Sequence, residues 1–276
     1  MPWHAHLNLD YRLDAPRTVL RHQHNGPLRI LKSLYPEGDA VCHNVIVHPP
    51  GGLVGGDVLD VQVHVGSGAH GLISTPGATR FYASDGLPTR QQVTLSLEPG
   101  ARLEWLPLEA IAYPGCQAHN SLSATLAEGA ELLAWDVTAL GLPNAAQPFN
   151  EGCFSQRLEI PGVWLEQARI AATDTRLLNS PLGLGGQHCM GTLILASGTT
   201  FTRERREKLL DLVRAALGSA PDGLVAGATC PHPQVLAVRA LAPLVEPLMA
   251  GLQRVWSALR PAAWGVGSVA PRIWRV

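Results

Sequence analysis

The sequence predicts a mainly β protein, built as stacked β-hairpins or a β-helix-like coil with a small C-terminal helical part. Three observations carry this. Apolar and polar residues alternate with period two, as in Leu59–Val65 and Val93–Leu97, which puts one side of each strand in a core and the other in water. Glycine turns leading into a second strand recur at Gly68, Gly100, Gly129 and Gly162, separated by 32, 29 and 33 residues. A unit of near-constant length that cannot bury its own face is the mark of a stacked repeat. Apolar spacing of three and four is confined to the last quarter of the chain. A β-sandwich with ordinary hairpins is the other architecture these turns allow.

In chain order, Met1–Asp10 has no basic segment followed by an apolar one, so no secretory signal is expected. The stretch His48-Pro-Pro-Gly-Gly-Leu-Val-Gly-Gly-Asp57 is the most constrained in the chain. Its prolines fix φ and its glycines open conformations that side chains forbid. It delivers the Asp57 carboxylate to the mouth of a strand in which Val61, Val63 and Val65 face one way. The alternation resumes at Val93, Leu95 and Leu97, at Leu103 and Trp105, at Leu122, Ala124 and Leu126, and at Leu158 and Ile160. After Thr202, a helix N-cap, the residues Leu209, Leu212, Val213, Ala216 and Leu217 form an apolar stripe that Gly218 stops. Its charged first turns read as a solvated face. Residues Pro221–Pro233 read as a Gly/Pro-rich link, and a second helix follows Pro247 with Leu248, Leu252, Val255, Trp256 and Leu259 on one side. Trp274 closes the chain as a side chain too large to leave in water. The expected division is a β-helical scaffold over residues 1–200, with residues 201–276 supplying a helical segment and closing strands packed on the same domain.

At 276 residues with 46% hydrophobic content the chain can bury a sizeable core. A formal charge of −1 excludes nucleic-acid or anionic-membrane binding driven by bulk charge, and no apolar run approaches the ~20 residues of a membrane span. Five scattered cysteines without a Cys-x-x-Cys pair fit reduced thiols and a cytoplasmic location.

No nucleophile elbow, Walker loop, dinucleotide fingerprint or His-Glu-x-x-His helix is present. Gly51–Gly56 is followed by a strand and no Lys-Ser/Thr, which argues against a phosphate cradle. His4 with His6 and His22 with His24 can share a strand face and would suit Ni²⁺ or Zn²⁺, although this spacing also arises by chance in a His-rich chain. Asp57, Asp136 and Glu166 are acids embedded in apolar surroundings. Each must reach solvent, pair with a cation or line a wet interior. Salt bridges to Arg80, Arg102, Arg157 or Arg169 are the plain account, and a polar channel passing a divalent cation is the sharper one.

Five stretches together resemble the urease accessory protein UreD (UreH) family: Tyr35-Pro-Glu-Gly38 with Cys42-His43; His48–Asp57; Thr75-Pro-Gly-Ala-Thr-Arg-Phe-Tyr82; Leu103-Glu-Trp-Leu-Pro107; and Trp135-Asp136 with Leu140-Gly141. The final Pro271-Arg-Ile-Trp274 fits as well, and the resemblance runs from about residue 26 to the end. The chain departs from the family pattern at Ala83, Leu142 and Gln147. The resemblance implies a non-catalytic β-helical scaffold that binds apo-urease and recruits UreF. UreF in turn brings the GTPase UreG, so that nickel and carbon dioxide reach the urease active site. It further implies a dimer within the accessory complex, no permanently bound cofactor, transient Ni²⁺, and a nickel passage at Asp57, Asp136 and Glu166. Thr75, Gly55, Gly56 and His48 would belong to the tunnel or loop. The residues alone leave two other classes open: a β-helical enzyme or carbohydrate-binding module using exposed carboxylates, and a nickel store built on the histidines.

Overall fold

The computed structural model describes residues 2–218 and 223–275. The strands, in order, are β1 His4–Asp14, β2 Arg17–Asn25, β3 Arg29–Ile30, β4 Val41–Val47, β5 Val58–Val65, β6 His70–Ser74, β7 Thr79–Phe81, β8 Thr89–Leu97 and β9 Arg102–Trp105. They continue as β10 Ala110–Ala112, β11 Cys116–Leu126, β12 Glu131–Leu142, β13 Gln147–Pro148, β14 Gly152–Ile160, β15 Trp164–Ala171, β16 Cys189–Ser197, β17 Val225–His232 and β18 Val235–Ala242. The α-helices are α1 Thr175–Asn179, α2 Arg203–Gly218 and α3 Val245–Trp264.

These strands form two facing sheets. The first runs β15-β14-β11-β8-β5-β1-β2, and the second β17-β18-β16-β12-β9-β6-β4-β3. Strands β1, β5, β8, β11 and β14 pair in parallel, as do β4, β6, β9 and β12. Strands β7 and β10 add a short parallel flank against β12. The repeat is therefore a coil, and the hairpin form of the expectation is corrected at three of its four turns. Strands β5 and β6 flank Gly68 yet lie in different sheets.

The reason is local. Gly68, Gly100 and Gly129 all have φ near the left-handed value, +70°, +70° and +71°, and this turns the chain through a corner instead of back along itself. The corners also stack: Gly68 N–H donates to the Pro99 carbonyl (3.3 Å), Gly100 N–H to Glu128 (3.3 Å), and Gly129 N–H to the Thr199 hydroxyl (2.9 Å). Each glycine precedes a fully buried alanine, Ala69, Ala101 or Ala130, small enough to let the two sheets meet. Gly162 alone closes a true hairpin, between β14 and β15.

The main core lies between the sheets, where Leu7, Val63 and Leu95 face Ile73, Leu103 and Ile194. A second core lies between the second sheet and α2 and α3, where Leu133, Trp135 and Leu193 meet Val213, Leu252 and Trp256. Strand β12 is thus covered on both faces, which explains its continuous apolar run, Leu132-Leu-Ala-Trp135, in place of alternation.

Thr202 caps α2 by accepting from the Arg205 N–H at 3.2 Å. Helix α3 starts at Val245, two residues before Pro247, because a first-turn proline lacks only an N–H that has no helical partner. The expected link over Pro221–Pro233 is corrected: residues 221–222 lie outside the described residues, and Val225–His232 is β17, paired with β18. Its small residues Ala226, Gly227 and Ala228 hide the strand from a pattern reading.

Helix α3 is held by buried charge. Arg260 is fully buried and contacts Glu37 at 2.6 Å and Glu104 at 3.0 Å. Glu104 also accepts from the Trp256 indole (2.7 Å) and pairs with His70 (2.9 Å), while His43 pairs with Glu37 at 2.6 Å. Burial pushes the Glu37 carboxyl up, but the bonds from His43 and Arg260 outweigh it and hold it at about 2. Glu104 is likewise lowered: burial opposes, and His70 and Arg260 prevail. Beside this, Arg205 grips Glu131 at 2.5 and 3.0 Å, and the Trp264 indole donates to Glu131 at 2.6 Å. Trp274 packs on Trp135 and Trp256 and donates to Ser74 at 3.0 Å.

Removing Arg260 strands two buried carboxylates, so Arg260→Met should lower unfolding free energy by roughly 3–5 kcal/mol in a urea titration. An unchanged midpoint would refute the latch. The lowered carboxyls stabilise the fold fully above their unfolded range and lose that contribution as pH falls from about 4.5 towards 2. Wild-type Tm should therefore fall steeply across that window, and that of Arg260→Met less steeply.

Candidate functional site

The glycine loop before β5 is locked to its surroundings. Gly51 N–H closes a turn on the His48 carbonyl at 2.9 Å, and Leu53 exchanges bonds with Arg80 and Tyr82 at 2.7 and 3.0 Å. Gly56 needs its φ of +88°, and a Cβ there would sit 2.8 Å from Pro2. Gly55 is packed against Ser84, where a Cβ would approach the hydroxyl at 2.7 Å. Asp57 is only 5% exposed. One of its carboxylate oxygens accepts from the Trp3 N–H at 2.8 Å and the other from the Val54 N–H at 2.9 Å. Both oxygens therefore clip the N-terminal segment to the loop.

His48 and Thr75 line a cavity of about 230 Å³ between the sheets, walled by Leu59, Val61, Val93 and Trp105. The Thr75 hydroxyl accepts from the Leu108 N–H at 2.9 Å and donates to the Gly77 carbonyl at 3.1 Å. Burial lowers the His48 pKa, against the opposing pull of Asp57. Asp57 is not among the residues lining this cavity.

Gln91 is, and from it a row of polar side chains crosses the main core. The Gln91 amide donates to Asn120 at 3.1 Å, and Asn120 donates to the two Asp136 oxygens at 3.2 and 3.4 Å. Gln91, Asn120 and Gln156 stand side by side on β8, β11 and β14. Asp136, Thr192 and Arg239 stand side by side on β12, β16 and β18. Glu166, from β15 of the opposite sheet, accepts from the Thr192 hydroxyl at 2.7 Å and pairs with Arg239 at 2.9 Å. Burial, and then the nearby charge of Glu166, push the Asp136 carboxyl up to about 7, against a bond from Gln156. Glu166 and Arg239 face an open groove of about 460 Å³. The row thus runs from a partly open cavity between the sheets at one end to a surface groove at the other.

Of the three acids singled out in the sequence, the fold brings Asp136 and Glu166 together and sets Asp57 in its own loop. None of the four arginines considered as partners takes that place. Arg239 pairs with Glu166 from 73 residues away, Arg157 pairs with Glu159, and Arg102 lies over Trp264. Of the histidines raised as metal ligands, His6 binds Asp60 at 2.9 Å, and the rings of His22 and His24 stack with centroids 6.3 Å apart. Among the described residues no three His, Cys, Asp or Glu side chains group as a metal site. Sequence reasoning missed Gln91, Asn120, Gln156, Thr192 and Arg239. A signal existed for the first three, because they occupy the inward positions of strands whose other inward residues are Val93, Leu122 and Leu158.

Two comparisons bear on identity. The family model described as UreD urease accessory protein matches residues 4–275. A "Urease accessory protein UreD" of Albidiferax ferrireducens is 60% identical over 274 residues, covering 99% of each chain. Proteins of the same name from Variovorax paradoxus and Leptothrix cholodnii are 57% and 50% identical, over 99% and 100% of each chain. A coil of this construction with these motifs, matched along almost its whole length, belongs to the UreD urease accessory protein family.

Proposed function

We propose that the chain acts as a non-catalytic maturation factor for urease: a cytoplasmic scaffold that binds the apoprotein, recruits UreF and through it the GTPase UreG, and passes nickel towards the urease active site. The observation that carries this reading is the polar row from Gln91 through Asn120 and Asp136 to Glu166, laid through an otherwise apolar core. A folded protein has no stability reason to keep an acid there. Desolvating a carboxylate without a cation is unfavourable, and Asp136 answers by holding its proton up to about pH 7. An arriving divalent cation would displace that proton.

Oxygen donors at Asp136, Glu166 and the neighbouring amides bind Ni²⁺ less tightly than clustered imidazoles or thiolates. That suits a cargo which must be released. Asp57 serves in this reading as the clip that keeps the loop, and with it His48, at the cavity. Family membership supports the accessory role, and the sequence holds none of the motifs of a catalytic centre. The scaffold's partners and its dimer within the accessory complex follow from the same reading.

Asp136→Asn tests it. Because the folded-state carboxyl is raised, wild type loses stability as pH climbs from about 4 to about 7. The variant should match wild type near pH 4 and melt higher at pH 8. Urease matured with it should nevertheless carry several-fold less nickel per active site. Normal nickel loading by the folded variant would remove Asp136 from the passage. Asp57→Ala, by contrast, frees two backbone amides and should lower stability by about 1–3 kcal/mol in a denaturant titration.

A further inference from the structure

On the far side of the second sheet, away from the polar row, a groove of about 620 Å³ runs between the start of α3 and the turn after β12. Its apolar wall is built from Leu108, Ile111, Met249 and Trp274. Two carboxylates, Glu109 and Glu246, stand in it, and among the described residues no Lys, Arg or His lines it. Neither acid has a salt bridge among the described residues. The charge of Arg80 acts on Glu109 from outside the groove lining. The two charges act on the same space: burial, then the charge of Glu246, raises the Glu109 carboxyl, and burial with both acids pushes the Cys189 thiol up to about 12.

We propose that this groove is the docking site for a partner-protein segment presenting one Arg or Lys between apolar side chains. Charge complementarity selects this occupant. An apolar wall alone would accept any hydrophobic segment, whereas two carboxylates that make no salt bridge among the described residues penalise a neutral or acidic one and reward a cation that is desolvated on docking. A metal ion is disfavoured, because no third ligand group joins the two acids among the described residues. Of the apolar anchor positions, Trp274 is of a residue type that dominates binding energy at protein interfaces, and Met249 of a type enriched there. The inference deepens the scaffold reading and rests on it, since it states which surface meets a partner and what chemistry that partner must carry.

The test uses the full chain and purified UreF, titrated at low and high salt. Glu109→Gln with Glu246→Gln should weaken binding at least tenfold at low salt and flatten its salt dependence. The same double variant should melt no lower than wild type, because it relieves repulsion and breaks no pair. Met249→Arg, which fills the groove and brings its own cation, should block binding while the circular dichroism spectrum stays native. Unchanged affinity in both variants would overturn the proposal and leave the scaffold reading standing with a different contact surface. No binding of UreF by the wild-type chain would overturn both. Self-association of the wild-type chain, dissolved by the double substitution, would assign the groove to a second copy and overturn the partner assignment.

Discussion

The double coverage of the second sheet is the constraint from which the other features follow. Strands β9, β12 and β16 have the first sheet on one side and α2 and α3 on the other, so Glu104, Glu131, Asp136 and Thr192 on them are taken out of water. Glu104 and Glu131 point towards the helices, and Asp136 and Thr192 towards the first sheet. Each must find its partner on a distant element. Arg260 and Arg205 meet the first two, and Asn120 and Glu166 the second two. The helical part is therefore joined to the coil by paired charge as well as by apolar packing.

The two faces differ in chemistry, and that difference assigns their roles. Towards the helices the acids meet guanidinium groups and indole N–H donors, which lock the geometry and, at Glu104, lower the carboxyl pKa against burial. Towards the first sheet Asp136 meets amides and another acid, and its pKa rises to about 7. One strand, β12, thus carries Glu131, held by Arg205 and the Trp264 indole, on one side and an under-compensated, proton-holding acid, Asp136, on the other. The first arrangement is what holding α3 requires. The second is what a group that exchanges a proton for a passing cation requires.

The glycine loop shows how one carboxylate can look the same in sequence and differ in role. Asp57 and Asp136 both interrupt apolar surroundings. Asp57 turns back onto two backbone N–H groups within its own loop and the N-terminal segment, a local use for a local residue. Asp136 has no such neighbour in the extended strand, where backbone donors are committed to the ladders. It depends on side chains from across the core.

The sequence by itself determined the β class, the corner positions, the two C-terminal helices and the family, but not the short helix α1. Period-two alternation, the φ demands of glycine and helical spacing are local properties that act within a few residues. It also marked Asp136 and Glu166 as anomalies. Only the tertiary structure decided that the corners lead into parallel coils instead of hairpins, because strands separated by a left-handed glycine can pair with each other or with the next rung, and stacking of the corners chooses the rung. Tertiary structure likewise decided who answers each buried charge. Arg260 meets Glu37 across 223 residues and Arg239 meets Glu166 across 73, separations at which no spacing rule operates and only the folded path of the chain brings the groups together.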